Sequence, residues 1–130
     1  IGPGLLVFVG VGLDDDEKDA DWLAEKIVNL RIFSDDAGQM NLNLIEISGS
    51  ILLVSQFTLE GDCQKGRRPS FSGAAPPARA EELYLYLGQG LQKFVPVRFG
   101  QFGAHMEISL VNDGPVTFMV EKTFKRPKNS

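Results

Sequence analysis

One cysteine and one histidine are all that the 130 residues offer of those two reactive side chains. Cys63 has no partner for an internal disulfide, which fits a reducing compartment. His105 would have to serve in any Ser/His/Asp or Cys/His arrangement, and between Ala104 and Met106 it reads more simply as a part-exposed strand residue. No His/Cys cluster has ligand spacing and the carboxylates crowd onto one helix, so neither a metal nor a cofactor is expected. No apolar run approaches the roughly 20 residues that span a bilayer, so no membrane segment is expected. The opening Ile1–Gly12 has no charged region before it and no cleavage site after it, and does not read as a signal peptide. There is no internal repeat and no linker, so one domain is expected.

What is present fits a soluble globular chain: 43% hydrophobic and 23% charged residues argue against disorder. A net charge of −4 excludes a nonspecific coat on long nucleic acid, whose affinity comes from many phosphate contacts. The charge is unevenly spread. Seven acids stand against one lysine from Asp14 to Glu25, whereas no acid falls between Cys63 and Ala80, a stretch that holds Lys65, Arg67, Arg68 and Arg79. A local phosphate site is therefore open to this chain.

The buried run Ile51-Leu52-Leu53-Val54, bounded by Gly49-Ser50, predicts a central strand reaching Thr58. Leu5–Val9 reads as a second buried strand. The following Gly10-Val11-Gly12 is no dinucleotide fingerprint, because Asp15 stands where the third glycine belongs. Its aspartates instead suit the cap and first turn of a helix over 17–30, with Ala20, Leu23, Ile27 and Leu30 as its apolar stripe. A short strand is expected at 31–33, a half-buried one at 40–47, and a helix from Ala78 to about Lys93 with Ala80, Leu83, Tyr84, Leu87, Leu91 and Phe94 inward. Met106–Val111 and Val116–Val120 alternate and read as strands around the Asn112-Asp113-Gly114-Pro115 turn. The expected architecture is an α/β single-domain, three-layer fold, with a mixed sheet, two helices on one face, and a second β layer or another subunit on the other.

Small polar residues at the end of the central strand sit where open α/β sheets place their ligands. Ser55 and Thr58 are candidate nucleophiles or hydrogen-bonding groups, though no base stands near them in the sequence. Two rival readings are a non-catalytic RNA-end binder using the same pocket and a small-molecule esterase using Ser55 or Thr58 with His105.

Four motifs in order shift the balance: Ser55-Gln56-Phe57-Thr58-Leu59, Lys65-Gly66-Arg67-Arg68-Pro69-Ser70-Phe71, Phe102-Gly103-Ala104-His105-Met106 and Asn112-Asp113-Gly114-Pro115-Val116-Thr117. Together with Asp21-Trp22-Leu23 and Asn29-Leu30-Arg31, they resemble the D-aminoacyl-tRNA deacylase family over nearly the whole chain. The resemblance implies a cytoplasmic homodimer that hydrolyses the ester joining a D-amino acid, or glycine, to the 3′ end of tRNA, without a membrane partner. It implies that Ser55, Gln56 and Thr58 form the catalytic segment, and that Phe57, Phe102, Ala104 and Met106 wall the substrate. It further implies that Gly114, Pro115 and Thr117 belong to a cis-peptide corner placed in the partner's pocket to reject L side chains. Assistance from the 2′-hydroxyl of the terminal ribose, with Thr58 positioning, fits the shortage of bases. Family members begin with a further strand and hairpin ahead of the segment matching Ile1-Gly2-Pro3-Gly4. Residues 1–122 are thus read as the deacylase-like domain without that piece, and 123–130 as a polar tail with no assigned role.

Overall fold

A computed structural model describes residues 1–122. The expected polar tail at 123–130 lies outside the described residues. Five strands and two α-helices follow in the order β1 (Gly4–Val9), α1 (Glu17–Asn29), β2 (Phe33–Ser34), β3 (Met40–Leu42), β4 (Ser50–Ser55), α2 (Pro77–Gln92) and β5 (Val97–Phe99), with a 3-10 turn at Phe57–Glu60.

The main sheet has the order β1-β4-β5 and is parallel throughout, with Leu5 opposite Ile51 and Leu53 opposite Phe99. A separate antiparallel pair, β2 and β3, is joined by a turn whose Asp35 carboxylate accepts from the Ala37 and Gln39 N–H groups. Parallel and antiparallel pairings are thus both present, divided between two sheets.

Side-chain alternation decides which face of the main sheet is covered. Ile51 and Leu53 point one way and join Ala24, Ile27 and Val28 of α1 with Tyr84, Leu87 and Leu91 of α2 in one core. The Tyr84 hydroxyl donates to the Leu53 carbonyl at 2.7 Å, tying α2 to the strand that carries the candidate site. Gly88 permits the close approach at the other edge, because a Cβ there would overlap the Phe99 ring. Helix α1 starts where the aspartates predict: the Asp16 carboxylate accepts from the Lys18 and Asp19 N–H groups, and Asp19 answers with a bond from the Asp16 N–H. Proline in the first turn of α2 needs no amide partner there.

Several expectations need correction. The central strand ends at Ser55, and Phe57 to Glu60 coil into the 3-10 turn because the apolar run that holds the strand between two layers stops at Val54. β1 is only half-buried, with Phe8 42% exposed on the face away from the helices. The expected strand over 40–47 is interrupted after Leu42 by a turn that buries Leu44. Phe94 is exposed, because α2 ends at Gln92 before its stripe can continue. The stripe of α1 is rotated toward Ala24 and Val28, and Leu30 is the C-cap, outside the helix.

The largest correction concerns 106–111 and 116–120, which join no strand ladder. Alternation there expresses a demand for burial, and a strand also needs an unpaired edge to bond to. Leu110, Val111, Phe118 and Met119 are accordingly exposed, Val111 at 91%. Among the described residues, no helix is long and apolar enough to cross a membrane.

Candidate functional site

Because the three main strands run parallel, their carboxyl ends open along one rim. Val9 pairs with Ser55 at that rim, and Gly100 beyond β5 bonds by its N–H to the Leu53 carbonyl at 2.9 Å. The Gln56 N–H donates to the Val9 carbonyl at 2.8 Å, so the chain leaves β4 still fastened to β1. It then turns immediately into Phe57–Glu60, leaving Phe57 and Thr58 exposed.

Gln56 and Thr58 meet there: the Gln56 side-chain amide donates to the Thr58 hydroxyl oxygen at 2.6 Å. A hydroxyl that accepts this bond keeps its own proton available for donation. No described histidine, carboxylate or lysine hydrogen-bonds to Thr58 or to Ser55, and His105 is exposed with no hydrogen bond to either. Thr58 thus has Gln56 beside it and no base, and the Ser/Thr–His esterase reading lacks one as well.

The aromatic members divide. Phe57 and Phe71 come together with ring centroids 5.1 Å apart, and Phe71 also closes over Gly61. Phe102 turns toward the core, 5.9 Å from the Tyr84 ring. Met106 lies on the other side of the sheet, its sulfur accepting from the Gln101 N–H at 3.4 Å beside Gly100 and Val54. Gly103, at φ 75°, makes the left-handed turn that lets the Ala104 N–H reach the Gln101 carbonyl. Met106 therefore sits beside Val54 near the end of β4, whereas Phe102 packs against the helix-side core.

The 112–117 corner is braced internally. The Asn112 side chain accepts from the Val116 N–H and donates to the Thr117 hydroxyl, both at 2.9 Å. Gly114 has φ 134°, and the Gly114–Pro115 peptide is cis. No hydrogen bond, ion pair or ring contact joins this corner to Ser55–Thr58 of the same chain.

Glu60 was not anticipated from the sequence. Its carboxylate lies over the Gly10–Gly12 turn beside Asp15, and burial, with Asp15 and Glu121 nearby, pushes it above its ordinary range. No hydrogen bond joins Glu60 to Thr58, so it does not supply the missing base; a glutamate ending an apolar-to-polar motif gives no sequence signal of this burial. Phe71 stood in a motif without a role, and its pairing with Phe57 is fixed only by the fold. Among the described residues no group of three or more His, Cys, Asp or Glu side chains could hold a metal. A cavity of about 40 Å³ lies between the end of β1 and the start of α1, lined in part by Asp15, Asp16 and Asp19, away from Ser55–Thr58.

Residues 1–121 match the family model described as D-Tyr-tRNA(Tyr) deacylase. The chain belongs to that family. A D-aminoacyl-tRNA deacylase of Geotalea uraniireducens is 59% identical over 127 residues, covering 97% of this chain and 79% of the relative. One from Thermosipho africanus is 56% identical over 119 residues, covering 91% and 80%. Among solved structures, c-Myc DNA Unwinding Element Binding Protein superposes with a TM-score of 0.89 at 37% identity, over 95% of this chain and 85% of that one. A probable eukaryotic D-amino acid tRNA deacylase shares the fold, with a TM-score of 0.69 at 17% identity over 78% and 76%. Family membership makes this chain an enzyme, a hydrolase of the deacylase class.

Proposed function

We propose that this deacylase hydrolyses the ester between a D-amino acid, or glycine, and the 3′ end of tRNA in the cytoplasm, working as a homodimer with residues 1–122 as its domain. The observation that carries the mechanism is the Gln56–Thr58 bond at the end of β4 with no base beside it. Chemistry without a protein base needs one from the substrate, and the 2′-hydroxyl of the terminal ribose adjoins the ester. It assists water to attack the carbonyl carbon; the carbonyl oxygen takes negative charge, the ester C–O bond breaks, and the terminal hydroxyl of the tRNA departs with a proton. Thr58 and Gln56 hold the ester in place. The opening N–H groups of a helical turn lack partners within it, which makes those of Phe57 and Thr58 the donors for the developing oxyanion.

Ser55 lines the same pocket and Phe57 lies near the terminal base. Phe102, Ala104 and Met106 complete the wall. The Gly114–Pro115 corner, with Thr117 behind it, works in the partner's cleft, where its carbonyls clash with an L side chain and leave a D side chain or glycine room. Support for action across subunits comes from a corner braced by Asn112 yet out of contact with Ser55–Thr58 of its own chain. The dimer would also cover the bare side of the sheet as the second layer of a three-layer arrangement.

Deacylation of matched D- and L-aminoacyl-tRNAs tests the activity, and hydrolysis confined to the D ester is expected. For the mechanism, a terminal 2′-deoxyadenosine substrate should turn over at least about 100-fold more slowly, the scale of a lost general base. Thr58→Ala should retain measurable turnover. An inert Thr58→Ala enzyme together with a fully active deoxy substrate would reverse these roles.

A further inference from the structure

The loop after the 3-10 turn is closed at its base by a reciprocal pair of backbone bonds. The Asp62 N–H donates to the Ser70 carbonyl at 2.7 Å and the Ser70 N–H to the Asp62 carbonyl at 2.8 Å. The Asp62 carboxylate is used at that base, accepting from the Gln64 N–H at 2.9 Å. Beyond it Gly66, at φ 69°, reverses the chain between Lys65 and Arg67. Lys65, Arg67 and Arg68 are all exposed, and none forms a hydrogen bond or ion pair among the described residues. In a chain of net charge −4, three cations held together without a counterion make the loop tip a local site for an anion. Directly after the closing pair, Phe71 packs against Phe57 with the rings tilted by 52°, so one small hairpin presents cations at its tip and an aromatic pair at its root.

We infer that the Asp62–Ser70 loop is a phosphate-binding arm for single-stranded RNA. Arg67 and Arg68 take the backbone phosphates of the nucleotides just ahead of the terminal adenosine, while the Phe57–Phe71 pair receives a base. Guanidinium groups bind phosphate oxygens in pairs, and cations beside stacked rings are the usual equipment of single-strand recognition. Three cations fall short of the four to eight that mark binding to an anionic membrane, and a peptide acid would have no use for the aromatic root. The inference rests on the deacylase reading for the identity of the RNA, and it adds where the chain beyond the terminal nucleoside runs.

Two substrates separate the inference from the reading beneath it: intact D-aminoacyl-tRNA, and D-aminoacyl-adenosine, which carries the ester and the base but no phosphodiester. Each single-strand phosphate contact contributes about 0.7 log unit at 0.1 M salt, relative to 1 M. For the double variant Arg67→Gln/Arg68→Gln, the ratio of kcat/KM on tRNA to that on the adenosine ester should fall about 25-fold, mainly through KM. The slope of log kcat/KM on tRNA against log salt should flatten by about 1.4. Arg67→Lys/Arg68→Lys should restore most of the slope. An unchanged ratio and slope, or an equal loss on both substrates, overturns the inference. Should the native enzyme cleave neither ester, the deacylase reading fails by itself. Binding of an unacylated RNA hairpin with a single-stranded 3′ end then decides the arm, which equal affinity of native and Gln variants would reject.

Discussion

The two sides of the parallel sheet are made from similar residues and meet opposite fates. On the helix side Ile51 and Leu53 are fully buried, and the tyrosine hydroxyl among them finds the Leu53 carbonyl. On the other side Phe8 is 42% exposed, and the segment that passes there continues to Leu110 and Val111, which are 58% and 91% exposed. Composition does not separate them, since both are rich in Leu, Ile, Val and Phe. What separates them is a partner in the same chain: two helices close one side, and no described helix packs on the other. The first side makes the fold stable. The second carries Met106 beside Val54 and Gly100.

If that division is right, paired truncations should separate strongly. Leu53→Ala should cost about 2–5 kcal/mol in urea unfolding, through lost burial and a cavity that α2 cannot fill. Leu110→Ala should cost within about 0.5 kcal/mol, as for an exposed side chain. Equal costs would break the comparison by showing that the bare side is structural as well.

Gly114→Ala sharpens it from the functional side. A Cβ at φ 134° would lie 2.8 Å from the Val116 side chain, so the corner must shift. Loss of D-over-L discrimination is expected while the unfolding midpoint moves little, because the corner adds nothing to the helix-side core. Parallel deacylation and urea curves check this; a large fall in stability with selectivity intact would contradict it.

The smallest effect is at Glu60, between the two regions. Its carboxyl titrates above the ordinary range because burial, then Asp15 and Glu121, disfavour the charged form. A raised folded value means that the stabilising contribution is full below the unfolded pKa of about 4.3 and is lost as pH rises through the folded value. Glu60→Gln should therefore melt higher than the native protein at pH 7, and the gap should close on acidification toward pH 4. A gap that widens on acidification would have the wrong sign.

Much of the helix side was legible in the sequence. The aspartate cap, the stripe of α2 and the apolar run of β4 each state a local preference that the tertiary structure keeps. Errors gathered where a pattern outran its support. Phe94 continued a helical stripe past the last turn, and Thr58 continued a strand past the last buried residue. Met106–Val111 and Val116–Val120 carried the alternation of a strand and join no ladder. The candidate site was legible only through its ordered motifs, which brought Ser55, Gln56, Phe57 and Thr58 to attention together. The Phe57–Phe71 pair and the half-buried Glu60 were not, because both depend on how a loop folds back, and no period in the sequence encodes that.

The parallel order β1-β4-β5 also bears on how such an enzyme can diversify. The turn after β1 and the 3-10 turn after β4 converge from distant parts of the chain, and neither contributes a side chain to the buried helix-side cluster, whereas the glycine loop after β5 lays Phe102 against it. Lengthening or rewriting either of those two turns reshapes the rim and leaves the interior as it was. Lineages can therefore rework the rim by editing those turns one at a time, without ever passing through an unfolded ancestor.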